Sequence, residues 1–476
     1  MMFHNKKDKY DAIIIGAGIS GLICGCYLAK AGLKVLIAEQ HHKPGGYCTS
    51  FKRKNYTFDA AAHSFGGYRK DGIMRRVFTD LEIAERLRIR RFDPSDIVIT
   101  PHYQVSFWAD FEKTIKGFQM SFPDESNNIK QFFYFLINPD PKSFVRIRTW
   151  TFKDILDKYF LNDKLKAILS FPLLGNGALP PSLMSAFIGA KIFREFLIDG
   201  GYYPENNMQA IPDALTQRFK ELGGTLLLSS IVRKIKVKDN KVVGISLEKN
   251  GFIPSTYVVS NCDARQTFLK LLGGKIVGKD FLDRISNMTP SLSIFVLYLG
   301  INKYLANLPE PGTNVWFLSR YDLDKVYNLA KNCDFNTISR YMIRVSPDQK
   351  TILAFLNAPF KNKRYWDINK TKLLDSFINK IEKEAIPGLS KHIAYKDAAT
   401  PYTLYRYTLN YKGASYGWAC VPSQFGDPDF KKPSFLQNLY LTGHWSTQGL
   451  GIPGVTYLGY DTAKAIVRKL KQDQRR

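Results

Sequence analysis

The apolar positions of this chain come in short runs separated by glycine turns and helical stretches. Ala12, Ile13, Ile14 and Ile15 form an unbroken apolar run that leads straight into Gly16-Ala17-Gly18-Ile19-Ser20-Gly21. Such a run has the length of a strand buried on both faces. A helical periodicity follows, Gly32 interrupts it, and a second apolar run (Val35, Leu36, Ile37) ends at the acid Glu39. Further along, the pattern predicts a helix over 213–222, a strand over 225–229, a hairpin with Asp239-Asn240 at its turn and a strand over 257–261. Residues 160–197 read as two helices broken at Leu179-Pro180-Pro181, and 291–300 and 351–356 read as strands of a mixed sheet. Near the other end, Asn438-Leu439-Tyr440-Leu441-Thr442-Gly443 is a buried strand ending in glycine, and a helical run covers 456–470.

The first of these blocks has the order that a dinucleotide site requires: strand, glycine turn, helix, strand, terminal acid. Gly16 permits the tight turn, Gly18 lets the backbone approach a pyrophosphate, and Gly21 lets helix and strand pack closely. The helix N-terminus then offers unpaired N–H groups to the phosphates. Glu39 can accept from an adenosine ribose hydroxyl, and an acid there disfavours a 2′-phosphate. The nucleotide is therefore NAD or FAD rather than NADP. A lone G-x-G-x-x-G is a common turn; the flanking strand, the helix and the spacing of the acid carry the inference.

The next residues separate NAD from FAD. Glu39-Gln40-His41-His42-Lys43-Pro44-Gly45-Gly46 is followed by Tyr56-Thr57-Phe58-Asp59. This stretch resembles the carotenoid and retinoid branch of the flavin amine oxidase superfamily, the phytoene desaturases, carotenoid isomerases and retinol saturases, which share E-Q-x-x-K-P-G-G and Y-x-F-D elements. The far end, with Gly449-Leu450-Gly451-Ile452-Pro453-Gly454 after its strand, is similar to the same family's C-terminal signature.

The resemblance implies an α/β fold, with a Rossmann-like, glutathione-reductase-like FAD-binding domain and an interleaved α+β substrate domain. It places the FAD domain at 1–72, 201–275 and 411–476, a helical substrate or membrane-facing insert at 73–200, and the substrate-domain sheet at 276–410. It implies FAD contacts at Gly16, Gly18, Gly21, Glu39, Gln40, Lys43, Gly45, Gly46, Val232, Gly443, Gly451, Ile452, Pro453 and Gly454. His63 and His444 are the candidates for proton handling, Tyr416-Gly417-Trp418 for a wall near the flavin, and no metal is expected. Two departures stand out. Tyr47 replaces an arginine common in relatives, and His444-Trp445-Ser446-Thr447-Gln448-Gly449 makes the flavin-facing loop bulkier than in typical desaturases. The implied activity is oxidoreduction or isomerisation at C=C/C–C bonds of a long apolar isoprenoid. A flavin amine oxidase, or a non-catalytic FAD-binding prenyl or membrane carrier, remains as an alternative.

Composition adds the surroundings. The chain has 476 residues, enough for two or three domains, and a net charge of +26. No nucleic-acid motif accompanies that charge, so no nucleic-acid partner is expected; the charge reads either as a solvated basic surface or, functionally, as attraction to an anionic membrane surface. No apolar run reaches the length of a membrane span. The charged N-terminus has no apolar signal core, so the expected location is cytoplasmic and peripheral to the membrane. The apolar stripe across 160–197 reads either as core or as a tunnel wall or monotopic face. Six cysteines lack CxxC spacing, which argues for reduced thiols and against a disulfide reductase. Only one dinucleotide fingerprint is present. Electrons are therefore expected to pass to oxygen, a quinone or a separate protein.

Overall fold

A computed structural model describes residues 9–138, 147–302, 305, 308–335, 338–424, 428–447, 449 and 451–473. Two seven-stranded sheets organise the chain. In the first, Tyr10–Ile15 lies between Val35–Ala38 and the C-terminal half of Gly251–Ser260, with Thr225–Leu227 and Leu439–Leu441 outside them, all parallel. Alternation along these strands divides the sheet's two faces. Ala12, Ile14, Val35, Ile37, Val259 and Tyr440 pack on one side with the helices Ile19–Lys30, Ala210–Glu221 and Gly451–Asp473. Ile13, Ile15, Leu36, Val258 and Leu441 pack on the other against a three-stranded meander and the π-helical segment Gln266–Gly273. Burial on both faces explains why these strands read as continuous apolar runs. The meander's hairpin turns at Asp239 and Asn240, with φ of 49° and 52°. Both lie in the left-handed region that a two-residue hairpin loop demands.

The second sheet runs in the order Ile393–Ala399, Ser293–Ile301, Thr351–Ala358, Arg340–Val345, Asn314–Leu318, Asp96–Ile99, Gln104–Phe107. Only the Asn314–Leu318 and Asp96–Ile99 pair is parallel. The 73–200 stretch, read as a helical insert, thus also contributes two strands to the sheet built mainly from 276–410. One face of this sheet is covered by the long helix Lys363–Glu384. The other is covered by the helical part of the insert.

Residues 160–197 form the helices Asp163–Gly177 and Ala186–Ile192, the latter continuing into a π-helical turn at Phe193–Ile198. Leu165, Ile168, Leu169, Phe171, Leu174, Met184 and Phe193 are buried in the core between insert and sheet. A Cβ on Gly175 would lie 2.1 Å from the Trp316 ring, so this helix is seated directly on the sheet. The stripe faces inward and is core, not a membrane-facing surface; of the large apolar side chains in 160–197, Leu161 and Leu183 are the exposed ones. Among the described residues no helix is long and apolar enough to cross a membrane.

Candidate functional site

The two N-terminal glycine turns lie against each other. Gly16, with φ of 99°, turns the chain between strand and helix, and Gly45 N–H donates to Ala17 O at 2.9 Å. Gly18 and Gly45 form an isolated parallel bridge, and Gly46 lies close enough that its Cβ would be 3.5 Å from Gly18 Cα. Gly16, Gly18, Gly45 and Gly46 thus present bare backbone to a cavity of about 1260 Å3. Gly21 does not line that cavity. A Cβ there would lie 2.2 Å from Gly16 O and 2.8 Å from Asn261 Nδ2, so its role is to let the helix begin beneath the turn.

Asn261, at the end of its strand, joins both ends of the chain at this point. Its Nδ2 donates to Gly16 O at 3.2 Å, and its Oδ1 sits 2.6 Å from where a Gly443 Cβ would be. Ser20 Oγ and Thr442 Oγ1 are bonded at 2.7 Å beside it. The sequence placed the strand end here but gave no sign of the amide's role.

Glu39 lines the same cavity. Its carboxylate accepts from Ala17 N–H at 2.7 Å and from His41 N–H at 2.8 Å. Burial raises its pKa, and the backbone donors oppose that shift. Val232 lines the wall nearby. Gln40 and Lys43 are tied to protein: Gln40 Nε2 donates to Tyr407 O at 3.2 Å, and Lys43 Nζ to Ser50 O. Gln209 clamps the second glycine turn, donating to Pro44 O at 3.1 Å and accepting from Ser50 N–H at 3.2 Å. Asp59 accepts from Ser50 Oγ, Tyr203 OH and Met208 N–H, which makes it a structural knot outside the cavity lining.

Gly443, beside Asn261 at the nucleotide turn, and His444, Gly451 and Ile452 also line the cavity, the last two opening the helix Gly451–Asp473. Pro453 and Gly454 do not line it. They face Gly67 and Gly449 instead, since a Gly67 Cβ would be 3.3 Å from Pro453 and a Gly454 Cβ 2.8 Å from Gly449. The first helical turn rotates these two residues away from the cavity that Gly451 and Ile452 face. Gln448 and Leu450 of the signature lie outside the described residues.

The bulk of Trp445 goes into the core. Its ring is 2% exposed, meets Trp418 edge-on at 4.8 Å, and donates to Asn410 Oδ1 at 2.8 Å. His444 lines the cavity, its ring stacked with Tyr47 at 6.3 Å and its Nε2 without a partner among the described residues. His63 also lines the cavity, its Nδ1 3.1 Å from Ala61 O and its ring 5.5 Å from Phe355. Burial holds both imidazoles down to a pKa of about 4, with the positive charge of Arg344 adding to the effect at His63. Both are neutral at neutral pH. Beyond them the cavity continues between Asn176, Phe196, Ile294 and Tyr416. Among the described residues no cluster of histidine, cysteine and carboxylate side chains could hold a metal ion.

The model for flavin containing amine oxidoreductases matches residues 19–467. The chain belongs to that family. It is an FAD-dependent oxidoreductase, and the bare glycine floor, the part-buried acid and the helix that starts at the cavity wall fit the cofactor. Among relatives, the lycopene-forming phytoene desaturase of Pseudescherichia vulneris is 23% identical, over 96% of this chain and 99% of its own length. Prolycopene isomerase 2 of an Oncidium hybrid cultivar is 24% identical over 98% and 85%. The all-trans-retinol 13,14-reductase of Danio rerio is 23% identical over 92% and 82%. Among solved structures, an oxidoreductase from Methanosarcina mazei matches with a TM-score of 0.67 at 16% identity, covering 95% of this chain and 99% of that one. Cyclohexylamine oxidase from Brevibacterium oxydans matches with 0.64 at 14% identity, covering 98% and 100%. Likeness at such identity establishes the fold, which the family's two-domain plan shares.

Proposed function

We propose that this enzyme acts on C=C/C–C bonds of a long apolar isoprenoid, as a desaturase, isomerase or saturase of the carotenoid and retinoid type. The observation that carries the reading is that, among the described residues, no carboxylate acts on His63 or His444. Among the described residues the carboxylates on its lining are Glu39, Asp367 and Asp397; the end near His63 and His444 presents neutral imidazoles, amides, phenols and apolar side chains. An uncharged polyene segment enters such a space without desolvating an ion, whereas an ammonium substrate would meet no countercharge there.

The backbone of Gly16, Gly18, Gly45 and Gly46 would hold the FAD diphosphate, Glu39 the adenosine ribose, Val232 the adenine side, and Gly443, Gly451 and Ile452 the flavin end. FAD supplies a two-electron acceptor or donor at flavin N5. The chain's part is to hold the polyene along Phe196, Ile294 and Tyr416, and to exclude water from that space. His63, with Nδ1–H donated to Ala61 O, would turn Nε2 outward as a proton acceptor for the carbon next to the reacting one. His444 offers an unpartnered Nε2 at the same end. Electrons would leave to oxygen, a quinone or a separate protein, and the +26 charge favours an anionic bilayer surface as the place where substrate is taken up.

Expression in a phytoene-accumulating bacterium, followed by pigment chromatography, tests this. A changed polyene profile that disappears with a Gly21→Ala variant is expected. Unchanged pigments, together with flavin reduction by a primary amine, would move the enzyme to the amine oxidases.

A further inference from the structure

Residues that both line the cavity and stand exposed mark its opening. The hairpin of Ser50–Arg53 with Tyr56–Asp59 contributes Lys52 and Arg53. The first turns of the helix Lys363–Glu384 contribute Lys363, Asp367 and Thr371, and the helix Pro401–Thr408 contributes Arg406 and Tyr407. Contacts around the opening join these elements. Arg53 acts electrostatically on Tyr395, whose OH donates to Asp397 Oδ2 at 3.4 Å, and Asp397 pairs with Lys370 Nζ at 2.6 Å. Lys363 feels both Tyr402 and Arg406. Tyr407 O accepts from Gln40 Nε2 and its ring meets that of His41, which joins the rim to the nucleotide turn.

The charge of this rim is one-sided. Its carboxylates Asp367 and Asp397 are paired, with Lys363 at 2.7 Å and with Lys370 at 2.6 Å. Lys52, Arg53 and Arg406 make no ion pair with a described residue; Arg53 donates to Lys52 O and Arg406 to Tyr407 OH. Apolar side chains stand exposed among these cations. Tyr407 is 46% exposed while lining the cavity. Ile368 is 69% exposed and is a neighbour of the lining Thr371 on the helix surface, three positions away. Arg364 and Lys372, both exposed, flank Ile368 four positions to either side, so a basic, apolar, basic row borders the opening. Phe360, Tyr402 and Tyr405 form a half-buried ring cluster beside it, with Phe360 and Tyr405 5.5 Å apart and Tyr402 on the cavity lining.

We propose that this rim docks the enzyme on an anionic bilayer with the cavity opening held against the lipid; this rests on the functional reading above and names the surface through which a polyene enters. Exposed aromatic and aliphatic side chains interspersed with unpaired Lys and Arg suit the level of lipid headgroups, where the cations meet phosphate and the apolar groups reach the acyl boundary. A long polyene partitions into the bilayer, and an opening in contact with lipid lets it reach the cavity without crossing water. Lys52, Arg53, Arg364, Lys372 and Arg406 would face the headgroups, and Ile368 and Tyr407 would enter beneath them.

The test floats FAD-loaded enzyme with vesicles of phosphatidylcholine, with and without phosphatidylglycerol. Wild type should bind the anionic vesicles, less as salt is raised but with a fraction that persists. Changing Lys52, Arg53 and Arg406 together to Glu should weaken that binding roughly tenfold or more. Changing Lys116, Lys130 and Lys158 together to Glu removes the same charge from exposed positions on the insert's helices, across the substrate sheet from the helix Lys363–Glu384. That control should stay within about threefold of wild type, because charge beyond a Debye length from the headgroups is screened. Ile368→Ser should remove the fraction that persists in salt. All variants should keep the FAD affinity of wild type, read by flavin fluorescence. Equal losses from the two triple variants assign the binding to diffuse charge and overturn the docking surface. Loss of FAD affinity in the rim variant assigns those cations to the cofactor and overturns it as well. Wild type that stays off anionic vesicles at low salt overturns the bilayer as occupant and leaves the rim to water or to an acidic protein. None of these outcomes touches the isoprenoid reading, which fails separately if pigments in the phytoene-accumulating host are unchanged while docking holds.

Discussion

Gly21→Ala concentrates the steric argument of the nucleotide turn in one methyl group. That methyl would arrive 2.2 Å from Gly16 O and 2.8 Å from Asn261 Nδ2, where about 3.5 Å is comfortable. Gly16 cannot yield easily, since its N–H donates to Ala38 O at 2.8 Å and its O accepts from Asn261 at 3.2 Å. Either the helix start lifts by about 1 Å or the Asn261 bond breaks. Overpacking of this kind costs about 1–3 kcal/mol, and the lost hydrogen bond about 1 kcal/mol more. The sum, about 2–4 kcal/mol, corresponds to a roughly 30- to 1000-fold loss of FAD affinity if it falls on the bound geometry. Two other glycines calibrate the result. A Gly18 Cβ would meet only the Asn261 amide, at 3.1 Å, so Gly18→Ala should leave the melting temperature nearly unchanged while intruding on the phosphate floor. Gly32 has φ of 84° and open space around it, so Gly32→Ala should cost about 1–2 kcal/mol of stability with no change in FAD affinity. Deflavinated protein titrated with FAD, followed by flavin fluorescence, gives the affinities, and thermal melts give the stabilities. A Gly21→Ala protein that binds FAD within threefold of wild type and melts at the same temperature would refute the reasoning.

Glu39→Ala should weaken FAD by roughly ten- to a hundredfold, the worth of a charged hydrogen bond, and should also loosen the turn because Ala17 and His41 N–H lose their acceptor; calorimetric titration showing an unchanged dissociation constant would make Glu39 purely structural. The neutral histidines predict acid sensitivity. The unfolded chain takes up protons near pH 6.5 while the folded His63 and His444 do so only near pH 4, so their stability is present above about pH 6.5 and is lost as pH falls towards 4. Each contributes at most about 3 kcal/mol, and His444→Phe should flatten part of the slope of melting temperature against pH, an outcome that a flat wild-type profile would contradict. Liposome flotation should show binding to anionic vesicles that weakens with salt, at about 1 kcal/mol per basic side chain near the surface. Protein that stays unbound with anionic and neutral vesicles at low salt would leave the basic surface as solvated charge.

The nucleotide half of the fold was legible because its constraints are local. A turn with φ of 99° at Gly16 and a two-residue hairpin at Asp239-Asn240 are written in the residue types that tolerate them. Short-range pattern also found the paired helices of 160–197. It could not say which way their apolar stripe faces, since the answer depends on a sheet formed far away in sequence. The strands Asp96–Ile99 and Gln104–Phe107 escaped notice for the same reason: four residues each, they become strands by pairing with Asn314–Leu318 and with each other. At the site, signature spacing brought Gly451 and Ile452 to the cavity but could not show that Pro453 and Gly454 turn away from it. The linking amide of Asn261 is a property of tertiary surroundings, and an asparagine at the end of a strand carries no such mark.

The parallel pairing of Asp96–Ile99 with Asn314–Leu318 has a consequence for how the enzyme is made. Roughly two hundred residues separate the two strands, and at about 5–20 residues per second the first waits roughly 10–40 s on the ribosome for its partner. During that interval its hairpin with Gln104–Phe107 has one unpaired edge, because the strand that pairs with it is not yet synthesised. Leu439–Leu441, which completes the nucleotide sheet, is synthesised later still. Neither sheet can close before its late strands emerge, so a chain interrupted before residue 314 would keep the Asp96–Ile99 edge unpaired instead of forming a shorter closed domain.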